Sequence, residues 1–210
     1  MKKIVIIGSG GFAKEVAFLI DEVNKEKKKW NLLGYIDSEI GKQNGKYLIF
    51  QNDEWLQQTD EKISVVFGIG SPLLIKKLAS LFSKNENLSF PNIMHPNVIA
   101  DWKRIKIGKG NVICASNTFT TDIEIGSFNI FNLDCTLGHD SFIGNYNVIN
   151  PSVNISGGVN IGSNNLIGTS ATILQYLRID KDITIGANSL VNKSVDEKGL
   201  YVGTPAKRIK

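Results

Sequence analysis

The chain has 210 residues, and its 24 Lys and Arg against 20 Asp and Glu leave a formal net charge of +4. This mild balance argues against a nucleic-acid-binding surface, and no apolar run approaches the length that spans a membrane. Cys114 and Cys135 are isolated in the sequence, which favours free thiols in a reducing compartment over a disulfide. We therefore predict a cytoplasmic protein, and Met1 to Lys3 lead directly into a strand rather than into a secretory leader.

The first predicted domain, residues 1–90, alternates strands with helices. Strands are predicted over residues 3–8, 32–37 and 64–71, and a helix with a periodic apolar face follows the first of them. Pro72 opens a second helix at its first turn. Strands that alternate with helices imply a small, parallel, Rossmann-like sheet.

A glycine motif follows the first strand, Gly8-Ser-Gly10-Gly11-Phe12-Ala13, and it fits the dinucleotide pattern G-x-G-x-x-[GA]. Such a turn lets a phosphate approach backbone N–H groups at a helix N-terminus. As the ligand of this turn we favour the phosphates of a nucleotide sugar. NAD(P) is one alternative, but the domain is small for it and no hydride-transfer site follows in the sequence. The other alternative is a glycine turn with only a packing role. The candidate substrate-binding residues are Gly10, Gly11, Phe12, Asp37, Ser38, Gly68, Gly70 and Ser71.

A bulky apolar residue recurs at every sixth position of the second domain, residues 91–195. A period of six fits neither a helix nor an ordinary strand, and it indicates a triangular β-solenoid with one inward side chain per face. Near copies at an interval of 18 residues, with Gly, Asn and Ser at the corners, support the same coil. We expect roughly five coils stacked about 4.8 Å apart, followed by a C-terminal tail, residues 196–210. A purely structural rod is the alternative. The apolar series is Ile107, Ile113, Phe119, Ile125, Phe131, Leu137, Ile143, Ile149, Ile155, Ile161, Ile167, Ile173, Ile179, Ile185 and Val191.

The chain contains only two histidines, His95 and His139. A solenoid carbonic anhydrase would need three His ligands, so we exclude that activity and predict no metal site. His139 follows the inward-facing Leu137 by two residues, which places it at an outward corner where packing explains a histidine poorly. Asp140 can accept a hydrogen bond from one ring nitrogen and raise the basicity of the other. We predict that His139 is a general base oriented by Asp140, with an incidental surface histidine as the alternative.

Seven motifs occur along the chain in a fixed order: Gly8-Ser-Gly-Gly11, Tyr35-Ile-Asp37, Gly68-Ile-Gly70, Met94-His-Pro96, Gly138-His-Asp140, Gly157-Gly158 and Gly199-Leu-Tyr-Val-Gly-Thr-Pro-Ala-Lys207. Together they resemble the NeuD/PglD-like sugar acyltransferases, bacterial hexapeptide-repeat enzymes with an N-terminal Rossmann-like domain. The resemblance covers essentially the whole chain. It implies a left-handed parallel β-helix that forms a homotrimer, acetyl-CoA between two neighbouring solenoids, and a nucleotide sugar held by the first domain. The acetyl-CoA contacts that it implies are Asn147, Val148, Gly157, Gly158, Gly168, Thr169, Gly186, Ala187 and Lys207.

Two positions depart from the family pattern. Many members carry a second histidine nine residues after the base, near the thioester, where this chain has Val148. Asn147 or Asn150 is the nearest polar replacement. Relatives often have His after the paired glycines, where this chain has Phe12. These changes leave the predicted base untouched and affect the coenzyme and sugar contacts.

The reaction that follows is direct transfer of an acetyl group from acetyl-CoA to a nucleotide-linked amino sugar, of the 4-amino-6-deoxy type, for bacterial surface glycan synthesis. His139 would take the proton of the amine and the N–H of Gly157 would stabilise the oxyanion. An acyl-enzyme on Cys114 or Cys135 is disfavoured because neither lies beside a base. O-acetylation of sialic acid or another sugar hydroxyl is the close alternative; an inactive trimeric scaffold and an NAD-dependent enzyme are the others.

Overall fold

The computed structural model describes all residues, 1–210, and its N-terminal domain is a mostly parallel sheet with three helices. Its elements are β1 (Lys2–Ile7), α1 (Gly11–Glu26), β2 (Trp30–Ile36), β3 (Gln43–Asn44), β4 (Tyr47–Gln51), α2 (Asp53–Gln58), β5 (Ile63–Phe67), α3 (Pro72–Phe82) and β6 (Leu88–Ser89). The strand order is β3-β4-β2-β1-β5-β6, and only β3 and β4 pair antiparallel. The inner strand β5, between β1 and β6, is buried over its whole length, as expected for a parallel strand covered on both faces.

The second domain is a β-solenoid of short strands. They are β7 (Ile93–Met94), β8 (Ile99–Ala100), β9 (Ile105–Ile107), β10 (Val112–Ile113), β11 (Thr118–Phe119), β12 (Ile123–Ile125), β13 (Ile130–Phe131), β14 (Thr136–Leu137), β15 (Phe142–Ile143), β16 (Val148–Ile149), β17 (Asn154–Ile155), β18 (Asn160–Ile161), β19 (Leu166–Ile167), β20 (Thr172–Ile173), β21 (Arg178–Ile179), β22 (Ile183–Ile185) and β23 (Leu190–Val191). Strands of neighbouring coils pair in parallel at an offset of 18 residues, as Val112 with Ile130. The predicted three-faced coil is therefore present.

Three sheets form the faces of the prism. The first sheet contains β7, β10, β13, β16, β19 and β22; the second contains β8, β11, β14, β17, β20 and β23; the third contains β9, β12, β15, β18 and β21. The first corner joins the third sheet to the first sheet, and it consists of residues 108–111, 126–129, 144–147, 162–165 and 180–182. The second corner joins the first sheet to the second, and it consists of residues 95–98, 114–117, 132–135, 150–153, 168–171 and 186–189. The third corner joins the second sheet to the third, and it consists of residues 101–104, 120–122, 138–141, 156–159, 174–177 and 192–194.

The six-residue series forms the core of the solenoid. Every member from Ile113 to Val191 is at most 4% exposed. Full burial of one such side chain contributes about 1.5–3 kcal/mol. The repeat as a whole, rather than any single contact, therefore stabilises the coil.

A ladder of buried asparagines runs inside the first corner. Asn111, Asn129 and Asn147 are 0% exposed. The Nδ2 of Asn129 donates to Oδ1 of Asn111 at 3.1 Å and to the carbonyl of Gly144 at 2.8 Å, and Asn147 repeats the arrangement one coil later. These residues therefore satisfy backbone groups inside the solenoid in addition to forming its turns.

The N-terminal domain covers the first sheet and the first corner. The ring of Phe128 lies 5.8 Å from Phe67 and 5.4 Å from Phe90, and it stacks on Tyr146 at 5.6 Å. The outward residues of the first sheet that complete this apolar interface are Val112, Ile130 and Val148. The third corner lies away from this interface.

The C-terminal residues continue the first sheet. β24 (Gly199–Val202) pairs in parallel with β22 and antiparallel with β25 (Lys207–Arg208). The predicted tail is thus partly strand. None of the helices has the length and apolarity needed to cross a bilayer.

Candidate active site

His139 and Asp140 lie together at the third corner, between β14 and β15. Asp140 has a φ of 57°, and this tight turn is accompanied by a contact of 2.7 Å between its Oδ2 and Nδ1 of His139. Asp residues adopt this left-handed conformation more readily than most. A carboxylate at Nδ1 accepts the proton held there, so Nε2 is left as the basic nitrogen.

Gly157 and Gly158, here called the glycine shelf, lie beside the imidazole one coil later. A Cβ on Gly157 would stand 2.6 Å from Nε2 of His139 and 2.7 Å from its Cε1, so only glycine leaves room for the ring. The N–H of Gly158 donates to the carbonyl of His139 at 2.7 Å, whereas the N–H of Gly157 has no partner within the chain. A basic nitrogen and an unpaired N–H donor are thus adjacent on an open corner, which suits acyl transfer.

Neither cysteine lies at the third corner with His139 and Asp140. Both are free and buried, and burial raises the pKa of Cys114 and of Cys135 to about 12. The thiols are therefore protonated at neutral pH and poor nucleophiles. No group of three or more His, Cys, Asp or Glu side chains is arranged to hold a metal ion.

A cavity of about 530 Å³ opens at the carboxyl ends of β1 and β2 in the N-terminal domain. Open α/β sheets bind ligands at this edge. The predicted Asp37 and Ser38 line it, whereas Asn52, Asp53 and Lys77 were not predicted. The remaining lining residues are Ile7, Gly8, Ile36, Glu54, Ile69, Leu74 and Leu78.

Asp37 is held in place by the turn after β1. The Ser9 hydroxyl donates to its Oδ2 at 2.6 Å and the N–H of Ser38 donates to its Oδ1 at 2.7 Å. Burial alone would raise the pKa of Asp37, but these hydrogen bonds lower it overall. Burial raises the pKa of Asp53 opposite, and the charge of Asp37 adds to that rise. An ionised, oriented Asp37 is suited to accept hydrogen bonds from ligand hydroxyls.

The predicted glycines divide into two groups. A Cβ on Gly8 would lie 2.6 Å from the Ile69 side chain, and one on Gly68 would lie 2.7 Å from the backbone of α1, so these two glycines allow close packing. A Cβ on Gly10 or on Gly11 would have no atom within 4 Å. Helix α1 also begins without a side-chain cap. Its first N–H groups are therefore available to an anion.

Three of the predicted substrate-binding residues, Phe12, Gly70 and Ser71, do not line the cavity of the N-terminal domain. Ser71 caps α3 by accepting from the N–H of Leu74 at 3.4 Å. Gly70 before it faces open space. Phe12 is half-buried and packs against the core of the N-terminal domain. Phe12 and Ser71 therefore have structural contacts of their own.

The predicted coenzyme residues lie on different sides of the solenoid. Asn147 is 0% and Val148 is 2% exposed, so neither is accessible to a coenzyme, because the first belongs to the asparagine ladder and the second lies under the N-terminal domain. The glycine shelf lies at the third corner. Lys207 is exposed and shares a cavity of about 290 Å³ with Lys193. The predicted residues at the second corner are Gly168, Thr169, Gly186 and Ala187.

Comparison with known proteins agrees with this architecture. Residues 3–82 match the family model described as the PglD N-terminal domain. A comparison with curated protein sequences gives no match. The chain is thus related to known proteins through its first domain and its fold.

Three solved structures are similar over the full length of the chain. The acetyltransferase domain of PglB from Neisseria gonorrhoeae is 20% identical, with 100% of both chains covered and a TM-score of 0.91. PerB from Caulobacter crescentus, in complex with CoA and GDP-perosamine, is 24% identical, covering 100% of this chain and 98% of its own, with a TM-score of 0.90. WeeI from Acinetobacter baumannii is 26% identical, with 100% of both chains covered and a TM-score of 0.88. The predicted fold class and the resemblance to the NeuD/PglD-like group are confirmed.

Proposed function

We propose that this chain, which has the two-domain architecture of the PglD-like sugar acetyltransferases, transfers an acetyl group from acetyl-CoA to the amine of a nucleotide-linked amino sugar. The observation that carries the proposal is the third corner, where Asp140 lies 2.7 Å from Nδ1 of His139 and the ring covers Gly157. The complex of PerB with CoA and GDP-perosamine supports the same pair of substrates.

His139 acts on the attacking amine. As the amine nitrogen bonds to the thioester carbonyl carbon, Nε2 of His139 takes its proton, while Asp140 holds the proton on Nδ1. The N–H of Gly157 donates a hydrogen bond to the developing oxyanion. When the C–S bond breaks, the thiolate of CoA leaves and receives the proton from the imidazolium. The transfer is direct, since both cysteines are buried and protonated.

The N-terminal domain binds the nucleotide part of the acceptor. The diphosphate lies at the uncapped start of α1, against Gly10 and Gly11, where unpaired N–H groups and the helix dipole favour an anion. Asp37 accepts from the ribose hydroxyls within the neighbouring cavity. Binding of the diphosphate and the ribose therefore selects a nucleotide-linked sugar over a free sugar.

The active site is completed by a second copy of the chain in a homotrimer. The N-terminal domain covers the first sheet and first corner, whereas His139 lies at the third corner. The predicted coenzyme contacts are split in the same way, because the second sheet separates Gly157 from Gly168. The third corner of one copy therefore faces the second corner of its neighbour. In this arrangement the sugar can reach an N-terminal domain and His139, and the coenzyme can reach Gly157 of one copy and Gly168 of the other.

An acceptor screen tests the proposal. Acetyl-CoA is incubated with UDP-, GDP- and dTDP-linked 4-amino sugars and with free sialic acid, and CoA release is followed by thiol titration. Hydroxylamine cleaves an ester product and leaves an amide intact. Amide formation with a nucleotide-linked amine supports the proposal; ester formation on a hydroxyl would replace it with O-acetylation, and no turnover with any acceptor would overturn it.

A further inference from the structure

Tyr176 is an exposed aromatic residue at the third corner that packs against no apolar side chain of either core. It is 74% exposed, and its backbone has a φ of 59°, a conformation that a bulky residue rarely adopts. Two other aromatic residues, Phe128 and Tyr146, have the same kind of backbone at the first corner. Those two stack together within the interface between the domains. The interface between the domains accounts for those two rings, whereas Tyr176 lies outside it.

The ring of Tyr176 lies on the glycine shelf. A Cβ on Gly158 would collide with Cδ1 of the tyrosine and would lie 2.6 Å from its Cε1. The N–H of Tyr176 donates to the carbonyl of Gly157 at 3.0 Å. The imidazole of His139 thus covers Gly157 from the preceding coil, and the phenol covers Gly158 from the following coil. The two rings therefore lie on adjacent residues of the glycine shelf, one of which carries the unpaired N–H of Gly157.

Below His139 the third corner offers a row of binding groups. The N–H groups of Gly157 and Gln175, one coil apart, have no partner within the chain. Lys193 lies at the same corner in the next coil and shares its cavity with Lys207. At about 4.8 Å per coil, Lys193 lies roughly 14 Å from His139. Two N–H donors followed by two cations suit an arm that contains amide carbonyls and ends in phosphates.

The opposite direction along the corner is less suited to a polyanion. The coils before His139 carry Asp101 and Asp122, and Arg104 is already paired with Asp122 at 2.6 Å. Lys103 is the remaining cation there. Since CoA carries several negative charges, its phosphates are favoured on the Lys193 side of the base and its thioester at the glycine shelf.

We propose that Tyr176 is a positioning residue for the coenzyme, and this rests on the proposed acetyl-CoA-dependent function. Its ring packs against the methylene groups of the pantetheine arm next to the thioester. The arm is thereby held along the corner, with the thioester carbonyl over the N–H of Gly157. This contact accounts for an aromatic ring at a solvent-exposed position with an unfavourable backbone conformation.

Two substitutions distinguish the effect of the Tyr176 ring from the effects of its backbone conformation and its hydroxyl. Tyr176→Asn removes the ring, and Asn tolerates the left-handed backbone, so the melting temperature should be unchanged or higher. Loss of contact with about two methylenes predicts an increase on the order of tenfold in the Kd of CoA by calorimetry and in the KM of acetyl-CoA. The KM of the sugar should not change. Tyr176→Phe keeps the ring and should match the wild type.

Tyr146→Asn is the matched control, because it makes the same change at a φ of 61° away from the third corner. It should lower the melting temperature and leave the Kd of CoA unchanged. Wild-type affinity for CoA in Tyr176→Asn, or a Tyr176→Asn protein that loses stability as Tyr146→Asn does, would overturn the role of Tyr176. Neither result would affect the proposed function. A wild type that fails to bind CoA would instead overturn both.

Discussion

Gly157→Ala tests whether the imidazole must lie on the glycine shelf. The new Cβ would stand 2.6 Å from Nε2 and 3.0 Å from Cδ2 of His139. Ordinary contact between such atoms is about 3.5–4.0 Å, so the ring must move by roughly 1 Å. A displacement of this size at a reacting group costs on the order of 100-fold, within the total of about 10²–10⁴ that a general base contributes.

The fold should tolerate this change. Gly157 does not have a positive φ, and the side chain of His139 is 53% exposed, so the ring can rotate into solvent. We expect the free energy of unfolding to change by about 0.5 kcal/mol or less, as for a typical surface substitution. The assay is kcat from CoA release, with the melting temperature measured on the same samples.

The double variant Gly157→Ala/His139→Ala is the control. If alanine acts only by displacing the imidazole, it should add nothing once His139 is absent. A wild-type kcat in Gly157→Ala would show that the position of the imidazole on the glycine shelf does not matter for turnover. Full additivity of the two losses would show that Gly157 acts independently of the ring.

Three further predictions concern the base, the thiols and the core. Asp140→Asn should lower kcat by about tenfold or more, because the amide does not hold the His139 tautomer as a carboxylate does; an unchanged kcat would remove Asp140 from the mechanism. The double variant Cys114→Ala/Cys135→Ala should keep the wild-type kcat, since both thiols have a pKa of about 12 and are protonated at neutral pH; loss of turnover in a folded protein, or an acetylated cysteine seen by mass spectrometry, would contradict direct transfer. Asn129→Ala should lower the free energy of unfolding by about 2–4 kcal/mol in a denaturant titration, because it leaves several buried groups of the ladder unpaired at about 1–3 kcal/mol each; a neutral effect would mean that water replaces the rung.

The period of six could be predicted from the sequence because it is a local property of the solenoid. Each inward residue fills the same environment, so the series from Ile113 to Val191 is regular and its unbroken pattern identifies the faces. The segment over residues 43–58 was not predicted, although Asn52 before two acids is a helix-start signal. Its two strands, β3 and β4, are short and do not show the alternation of apolar and polar residues that predicts a strand.

The asparagines show where sequence reasoning fails. Asn111, Asn129 and Asn147 have the composition of turns, and only the coil register shows that their side chains point inward and form a ladder. For the same reason Asn147 could not be recognised as inaccessible to a coenzyme. Inward and outward positions at a corner differ by one residue, and composition does not distinguish them.

The candidate site was predictable where a residue breaks the repeat. His139 replaces the small or polar residue expected at an outward corner, and Gly157 follows it by one coil of 18 residues. Asp53 and Lys77 in the cavity of the N-terminal domain could not be found in this way. They come from α2 and α3, and they line one cavity only once both helices are packed beside the sheet.

The assignment of the third corner as the catalytic centre is tested most directly by comparing the wild type with His139→Ala, using acetyl-CoA and a nucleotide-linked amino sugar that the acceptor screen identifies. We expect CoA release and amide formation by the wild type, with a loss of kcat on the order of 100-fold or more in the variant at an unchanged melting temperature. A folded His139→Ala protein that turns over at the wild-type rate would contradict the assignment of this corner as the catalytic centre.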